Sequence, residues 1–598
     1  MHHHDNRPPG EDLEVEHGHC KPEHITSINT NPNTLSRSDK MGTSSQDVEK
    51  GEIEAMSPVT SSNNSDGRSP SHSRFARFYR RHKVWFDLAG WIVITGWWAA
   101  SLGLHHTDMN WAIPFLLWLA ITLRLLTCHV PISIVTRPMR WLWHNTAVRL
   151  TALIPEKWRL PLGAAATTAI ILIGPFFSEE KADNTRANRA ISLFGLIVLL
   201  ASLWATSRNR KAINWHTIIV GMLMQFIIAL FGLRTSVGYD IFAFVSSLAR
   251  SLLGFAKDGV AFLTDAETAQ TPWFLVSVIP AIIFFVSLVQ LLYYWGTLQW
   301  FIGKAAVFFF WAMRIAGAES VVAAATPFIG QGESAMLIKP FVAYLTMAEL
   351  HQVMCSGFAT IAGSVLVAYI GMGVNPQALI SSCVMSIPAS LAISKMRYPE
   401  EEQSLTAGKV AVPDDKDHEA ANSLDAFAKG AWLGLKIAGM IVCTLLCIIA
   451  LVALINGLLT WFGRYLNLTG EYELTIQLIL GYLLYPVAFL LGPDLLKVAR
   501  LIGIKIVTNE FVAYDTLIKD PAYAGLSPRS KLIATYSLCG FGNIGSLGTQ
   551  IGVQSQIAPA RGGDVSRLAI SALLTGILAT LSSASIARLV VQDQAAFV

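Results

Sequence analysis

Two acidic side chains stand inside apolar stretches of this sequence, and each precedes a copy of the same four residues. Glu333 comes before FVAY at 341–344, and Glu510 comes directly before FVAY at 511–514. A charged carboxylate at the centre of a bilayer costs on the order of 3 kcal/mol or more, so such a residue usually has a function. The repeated setting indicates two halves of an internal repeat, each of which delivers one carboxylate to a shared site.

Glycine and proline interrupt the chain beside both acids. In TPFIGQGESAMLIKPF, at 326–341, they weaken a regular helix and expose backbone amide and carbonyl groups next to Gln331. The later run GFGNIGSLG contains Phe541, Asn543 and Ser546 among four glycines, each of which costs a helix interior about 1 kcal/mol. We expect a site with donors and acceptors for several hydroxyl groups and with one aromatic face. This chemistry suits a neutral, polyhydroxylated ligand with a flat ring, and it suits an anion poorly because no basic cluster accompanies it.

Structural roles stay open for the same residues. Glu333 could pair with Lys339, and Glu510 with Lys505, at solvated loop tips. The glycines could serve close helix packing through small residues. Asn543 argues against packing alone, because a buried amide needs hydrogen-bond partners.

Helix-capping patterns follow both acidic segments. The sequence TMAE fits a capping box, in which Thr346 is the N-cap and Glu349 reaches back to it. The sequence LSPRS offers Ser527 as an N-cap with proline at the first helical position. We therefore interpret Glu349 as structural, and His351 on the same turn as a polar interface residue.

The composition is that of an all-α polytopic membrane protein. Of the 598 residues, 53% are hydrophobic and only 14% are charged, whereas a soluble chain carries about a quarter charged residues. The mean hydropathy is +0.45, and the apolar runs reach the roughly 20 residues that span a bilayer as a helix. The seven cysteines show neither metal-ligand spacing nor a disulfide framework.

The apolar runs predict about 11 transmembrane helices and two re-entrant helical hairpins. The predicted spans lie near 84–104, 111–130, 160–177, 190–206, 215–233, 273–297, 348–372, 377–394, 430–460, 474–492, 532–556 and 566–591. The hairpins are expected at 304–345 and about 493–525, where glycine or proline divides a long stretch that contains ionisable groups. Residues 238–262 are amphipathic and predict an interfacial helix.

The chain is expected to divide into seven parts along its length. They are a disordered cytoplasmic tail at 1–73, three additional transmembrane helices at 74–189, first core helices and the interfacial helix at 190–298, the first hairpin and transport-domain helices at 299–396, a charged and solvated cytoplasmic loop at 397–429, linking core helices at 430–492, and the second hairpin, broken helix and last helix at 493–598. The basic run RFARFYRRHK directly precedes the first apolar run, so the positive-inside rule predicts a cytoplasmic N-terminus.

The acidic segments resemble those of the concentrative nucleoside transporter family. GQGESAMLIKPFVAYLTMAELHQVMCSGFATIAGSVLVAYIG is similar to that family's first hairpin and following helix, and TNEFVAY with LSPRSKLIATYSLCGFGNIGSLG is similar to its second hairpin and broken helix. The resemblance covers about 190–592, and the three added helices resemble the eukaryotic branch. It implies an inverted-repeat core, a scaffold domain with an elevator-type transport domain, a homotrimer in the plasma membrane, and nucleosides such as uridine and adenosine as substrates.

The resemblance also implies a set of substrate-binding residues. Nucleobase contacts are expected at Gln331, Gly332, Glu333 and Val365, and the remaining nucleoside contacts at Glu510, Phe541, Asn543 and Ser546. The family usually has threonine where this chain has Gly332, so looser contacts to the base are expected. No cofactor and no nucleic-acid partner is expected.

The cation site of the family is altered in this chain. Sodium-coupled members have asparagine at the position of Thr326, and Ile329, Thr360 and Ile361 occupy the other matching positions of what we interpret as a vestigial cation site. A hard cation binds several well-placed oxygen atoms, and the asparagine amide oxygen is lost here. Burial favours a neutral carboxylic acid over a carboxylate, so we predict proton-coupled symport with Glu333 as the proton carrier. The alternative is a sodium-coupled symporter of the same family.

Two other classes of protein compete with a carrier. A channel would use the re-entrant pair as a selectivity filter, but two asymmetric polar half-sites fit a carrier better than the symmetric rings of a pore. A membrane enzyme would need a metal-ligand cluster or a nucleophile–base pair, and the apolar segments contain neither. We therefore expect secondary active import of nucleosides by alternating access, and no enzyme activity.

Overall fold

The computed structural model describes residues 82–105, 112–129, 145, 155–180, 184–271, 273–406, 420–491 and 495–591. The chain divides into two compact units, Met1–Phe86 and Asp87–Val598. Of the first unit, only the start of one helix is described, and all contacts given below belong to the second. The predicted disordered tail at 1–73 lies outside the described residues, as does 407–419 within the predicted charged loop.

Regular secondary structure in the described ranges is helical, which confirms the all-α prediction. The first helices are α1 (Lys83–His105), α2 (Ala112–His129), α3 (Glu156–Phe176), α4 (Arg186–Ala205), α5 (Trp215–Arg234), α6 (Ser236–Leu263), α7 (Phe274–Ser277), α8 (Ile279–Tyr294), α9 (Thr297–Met313), α10 (Gly317–Ile329), α11 (Gln331–Met336) and α12 (Lys339–Val342). The later helices are α13 (Met347–Ala359), α14 (Gly363–Gly371), α15 (Pro376–Arg397), α16 (Ser423–Tyr465), α17 (Ile476–Leu483), α18 (Tyr485–Leu491), α19 (Leu495–Val507), α20 (Glu510–Lys519), α21 (Pro521–Ala524), α22 (Pro528–Leu538), α23 (Ile544–Ile557) and α24 (Gly562–Val590).

Nine helical segments of the described residues are long and apolar enough to cross a membrane. They comprise α3 to α6, α7 with α8, α13 with α14, α15, α16, and α24 with the turn before it. The stretch predicted as an interfacial helix at 238–262 is the 28-residue α6, and it also meets this length and composition. The total of about 11 spans stays a prediction.

The span predicted at 474–492 is divided into two short helices, and its crossing of a membrane stays a prediction. α17 ends at Leu483 and α18 begins at Tyr485. Pro486 stands in the first turn of α18, and a proline has no N–H with which to continue the hydrogen-bond ladder of the preceding helix.

The hairpin predicted at 304–345 merges two separate features. α9 ends at Met313, and its C-cap residue Arg314 has a φ of 53°, in the left-handed region. The helix–break–helix itself begins at Gly317. The break is Gly330, with φ 99°, between α10 and α11. The sequence does not predict this boundary, because a left-handed arginine is uncommon and has no sequence signal.

The second hairpin lies where the sequence predicts it, with a break between α19 and α20. Thr508 and Asn509 form the break, and α20 begins at Glu510. Asn509 caps α20, because its Oδ1 accepts a hydrogen bond from Val512 N at 3.0 Å. Re-entry of either hairpin into a bilayer stays a prediction.

Small residues allow the helices behind the hairpins to approach closely. A Cβ on Gly576 of α24 would lie 2.5 Å from Phe358 Cβ of α13, and a Cβ on Gly221 of α5 would lie 2.7 Å from Ala392 Cβ of α15. Most side chains of α13, α15 and α24 are buried. These three helices therefore form a rigid support for the segments that line the site.

The capping residues occupy their predicted positions. Thr346 Oγ1 accepts a hydrogen bond from Glu349 N at 3.1 Å, and Glu349 Oε2 accepts one from Thr346 N at 2.8 Å. Ser527 caps α22. His351 contacts serines of α15 and α24 through its two ring nitrogens. The structural interpretation of Glu349 and His351 is therefore confirmed.

A buried ion-pair network closes the base of the first hairpin. Lys395 Nζ lies 2.6 Å from Glu319 Oε1 and 3.0 Å from Glu400 Oε2. Gly317 N donates to Thr406 O at 3.0 Å. The start of the charged loop is thus anchored to α10 and α15, which corrects the prediction that its charges form only a solvated face.

Candidate functional site

The interruption between α13 and α14 meets the interruption between α22 and α23. Phe541 N donates to Thr360 O at 3.2 Å across this meeting point. Gly540 has φ 123°, and a Cβ there would lie 2.8 Å from Thr580 Cγ2 and 3.0 Å from Phe358 O. Both backbone conformation and space therefore require glycine at this position. The sequence predicts the breaks, and the structure shows that they are in contact.

Glu510 and Asn543 form the polar centre of the site. Asn543 Nδ2 donates to Glu510 Oε2 at 2.6 Å, and the two residues are only 2% and 3% exposed. Asn543 Oδ1 accepts a hydrogen bond from Ser546 N at 2.7 Å and so caps α23. Asn543 is thus fixed between α20 and α23. Because its amide group has hydrogen-bond partners, close helix packing is not the whole role of this segment.

Lys505 brings a positive charge to this polar centre. Its side chain is 1% exposed, and its Nζ donates to Ser537 O at 2.8 Å. The ammonium group lies within electrostatic range of the Glu510 carboxylate. The alternative of a Glu510–Lys505 ion pair at a solvated loop tip is excluded, because both side chains are buried. The carboxylate has a cation and an amide donor close by.

The tip of the first hairpin packs against α23. A Cβ on Gly332 would lie 3.2 Å from Val553 Cγ2, and a Cβ on Gly357 would lie 2.9 Å from Gln331 Cβ. Gln331 Oε1 is buried and has no hydrogen-bond partner among the described residues. The backbone of Glu333 belongs to α11, and its side chain lies outside the described part of the structure.

One cavity of about 750 Å³ joins these features, a size typical of small-molecule sites. Seven of the eight residues that the family resemblance implies line it: Gln331, Gly332, Val365, Glu510, Phe541, Asn543 and Ser546. Sequence reasoning did not assign several further lining residues, among them Phe285, Lys436, Thr508 and Thr549. The sequence offers a signal for Thr549, because this residue directly follows the glycine run. Lys436 and Phe285 stand in long apolar helices, where no pattern marks them as residues of the site.

The positions matched to the family's cation site contain few oxygen ligands. Thr326 and Thr360 are buried, and each hydroxyl donates to the carbonyl four residues earlier, at 2.6 and 2.9 Å. Ile329 lines the cavity, and Ile361 is fully buried. The hydroxyl lone pairs stay available, but no side chain of this set has an amide or carboxylate oxygen. In the part of the chain that the structure describes, no group of three His, Cys, Asp or Glu side chains is suited to a metal ion.

Three sequence-family models match consecutive parts of the chain. They are the Na⁺ dependent nucleoside transporter N-terminus over 194–267, nucleoside recognition over 275–375, and the Na⁺ dependent nucleoside transporter C-terminus over 378–588. The first hairpin and the first helix break fall in the second match. The second hairpin and the second break fall in the third.

Curated relatives extend this similarity. Solute carrier family 28 member 3 of Eptatretus stoutii is 38% identical over 421 residues, covering 67% of this chain and 60% of that protein. The protein of the same name from Mus musculus is 33% identical over 534 residues, covering 86% and 74%. Sodium/nucleoside cotransporter 1 of Oryctolagus cuniculus is 35% identical over 418 residues, covering 67% and 63%. The chain therefore spans between 60% and 74% of the length of these relatives.

A solved structure is similar over the core of the chain. CNTnw in an inward-facing, substrate-bound state is 35% identical, with a TM-score of 0.64, and the match covers 68% of this chain and 98% of that one. The family models and the relatives agree on a family of transporters rather than enzymes. The chain belongs to the concentrative nucleoside transporter family, solute carrier family 28.

Proposed function

We propose that this chain is a symporter that carries nucleosides across the plasma membrane by alternating access. The observation that supports this most is the convergence of Gln331, Glu510, Asn543 and Ser546 on one cavity where two helix breaks meet. A nucleoside presents a flat base and several sugar hydroxyls, and the cavity offers an aromatic ring, a carboxylate and amide groups. Relatives named sodium/nucleoside cotransporters support the substrate class.

The sugar is proposed to bind at Glu510, Asn543 and Ser546. A carboxylate accepts hydrogen bonds strongly, so Glu510 would take the hydrogen of a sugar hydroxyl. Asn543 holds the carboxylate from one side at 2.6 Å, which fixes its direction before the ligand arrives. The second helix break therefore acts as a preformed hydroxyl-binding surface.

The base is proposed to bind at the tip of the first hairpin. Gln331 Oε1 has no partner among the described residues, so it can accept a hydrogen bond from a ring or exocyclic N–H. Gly332, Val365 and Phe541 line the same cavity. Glu333 belongs to this proposed set through its position in α11.

Sodium is the coupling ion that the relatives support, which is the alternative considered in the sequence analysis. Several relatives are named sodium/nucleoside cotransporters, whereas no comparison supports the proton. A specific observation keeps proton coupling as the second candidate. Only the hydroxyls of Thr326 and Thr360 are oxygen-bearing side chains in the matched set, and both donate their hydrogens within their own helices.

Assembly and motion follow from family membership as proposals. We propose a homotrimer with a scaffold domain and an elevator-type transport domain, with a cytoplasmic N-terminus. The two hairpins and the broken helices would move together, because α23 packs on the first hairpin and Phe541 bonds to Thr360 across the breaks. We propose that residues 190–298 belong mainly to the scaffold domain. Residues 299–396 would then contain the first hairpin and transport-domain helices, and residues 493–598 the second hairpin and its broken helix.

The test is uptake of labelled uridine and adenosine by the purified chain in liposomes, under separately imposed Na⁺ and H⁺ gradients. Accumulation driven by Na⁺ alone supports sodium symport, and accumulation driven by H⁺ alone supports the second candidate. Equilibration without accumulation under either gradient would contradict symport. Lack of uptake of both nucleosides by intact protein would contradict the substrate class.

A further inference from the structure

The buried basic side chains of this chain differ in whether they have partners. Arg189 is fully buried and donates six hydrogen bonds at 2.5–3.1 Å to acceptors of the α3–α4 connection and the end of α3. Lys395 pairs with two carboxylates, and Lys505 donates to a backbone carbonyl. Arg588 is 1% exposed, yet its Nε, Nη1 and Nη2 have no hydrogen-bond partner in the described part of the chain.

Among the described residues, no carboxylate acts on Arg588. Arg588 lies in the last turn of α24, and the charged group that acts on it among the described residues is Arg529, which repels it. Arg529 is itself 2% exposed and is the second residue of α22. Two guanidinium groups of the same sign thus lie near each other in the protein interior.

The partial negative charge at the end of α24 is not enough to offset this arrangement. A helix C-terminus favours a cation modestly, whereas an isolated buried charge carries a much larger penalty unless it is paired and hydrogen-bonded. Arg189 shows that this chain can surround a buried guanidinium with hydrogen-bond acceptors. Arg588 has a full set of directed N–H donors and no acceptor among the described residues, and this arrangement favours the binding of an anion.

We propose that Arg588, with Arg529 beside it, binds a small monovalent anion such as chloride. A guanidinium group presents several N–H donors in a fixed plane, and a halide accepts such bonds from several directions. Neither arginine lines the cavity that contains Glu510 and Asn543. The anion site is therefore separate from the proposed nucleoside site, and it stabilises the packing of α22 against α24 rather than taking part in substrate contacts.

The experiment measures thermal unfolding of the purified full chain as chloride replaces gluconate at constant ionic strength and constant cation. We expect the transition temperature to rise by about 1–2 °C between about 10 and about 300 mM chloride, as for a ligand that binds only the folded state. Arg588→Met should remove this rise. Arg561→Met is the matched control, because Arg561 already pairs with Asp564 and with two backbone carbonyls, and it should keep the rise.

A direct observation keeps the proposal falsifiable if Arg588→Met does not fold. Crystals of the unaltered chain grown in bromide should show anomalous scattering in contact with the Arg588 guanidinium. Water at that position and no bromide would overturn the proposal. A rise in transition temperature that survives in Arg588→Met would also overturn it. The absence of any chloride effect on the transition temperature would overturn it as well.

Discussion

Replacing Asn543 by aspartate tests the polar centre of the site with one atom changed. Asn543 has two roles: its Oδ1 caps α23 through Ser546 N at 2.7 Å, and its Nδ2 donates to Glu510 Oε2 at 2.6 Å. Aspartate caps a helix as well as asparagine does, so the first role is kept. The second is inverted, because an oxygen takes the position of the donor and faces another carboxylate oxygen.

The magnitude follows from the lost hydrogen bond. A hydrogen bond to a charged group contributes about 1.5–3 kcal/mol, and Glu510 is 3% exposed, so solvent screens the change little. Since about 1.4 kcal/mol corresponds to a factor of ten, the efficiency of nucleoside uptake should fall by about 10- to 150-fold. Repulsion between the two carboxylates adds to this loss.

The assay is the initial rate of uridine uptake into liposomes as a function of uridine concentration, for equal amounts of folded protein. Asn509→Asp is the matched control. Asn509 also lines the cavity and caps the neighbouring helix α20 through its Oδ1 at 3.0 Å, and it has no hydrogen bond to Glu510 in the described structure. Its uptake should change by less than about threefold, below 1 kcal/mol. Wild-type uptake in Asn543→Asp would refute the assignment of Glu510 as a hydroxyl acceptor held by Asn543.

Three further changes test the supports of the site. Gly540→Ala should lower thermal stability by at least the roughly 1–3 kcal/mol of a strained backbone, whereas Gly552→Ala, which has no atom within 4 Å of its Cβ, should be neutral or stabilising in the same unfolding measurement. Lys395→Met should destabilise by about 3–5 kcal/mol because Glu319 loses its partner, and adding Glu319→Leu should recover most of that loss; a double variant no more stable than the single one would contradict this. Under proton coupling, Glu333→Gln should remove the stimulation of uptake by an acidic outside solution, and an unchanged response would exclude Glu333 as the proton carrier.

The local features of the site could be predicted from the sequence because their causes are local. The capping box of Thr346 and Glu349 depends on residues three apart, and so does the cap at Ser527, whose side chain accepts a hydrogen bond from Ser530 N. Glycine runs predict helix breaks from backbone propensity alone. The repeated FVAY segments indicate that two such breaks belong to one site.

Features that depend on distant parts of the chain had no sequence signal. Arg314 caps the end of α9 in a conformation that favours glycine. The sequence therefore gives no sign that a helix ends there, and it predicts a first hairpin that starts too early. Glu319 and Lys395 pair at 2.6 Å across 76 positions, and no periodicity indicates such a pair. Arg588 stands in a helix whose apolar character predicts burial, but its lack of hydrogen-bond partners among the described residues is visible only in the folded structure.

The contact between the two breaks has a consequence for coupling. Thr360 belongs to the set matched to the family's cation site, and its backbone oxygen accepts the hydrogen bond of Phe541 N at 3.2 Å. Phe541 in turn accepts a hydrogen bond from Asn543 N at 2.9 Å, and Asn543 holds Glu510. A cation at the Thr360 hydroxyl would therefore stiffen the same chain of contacts that directs the carboxylate. Binding of the cation would then lower the entropic cost of ordering the site for the nucleoside, and binding of the nucleoside would lower it for the cation. Symport requires this reciprocal effect.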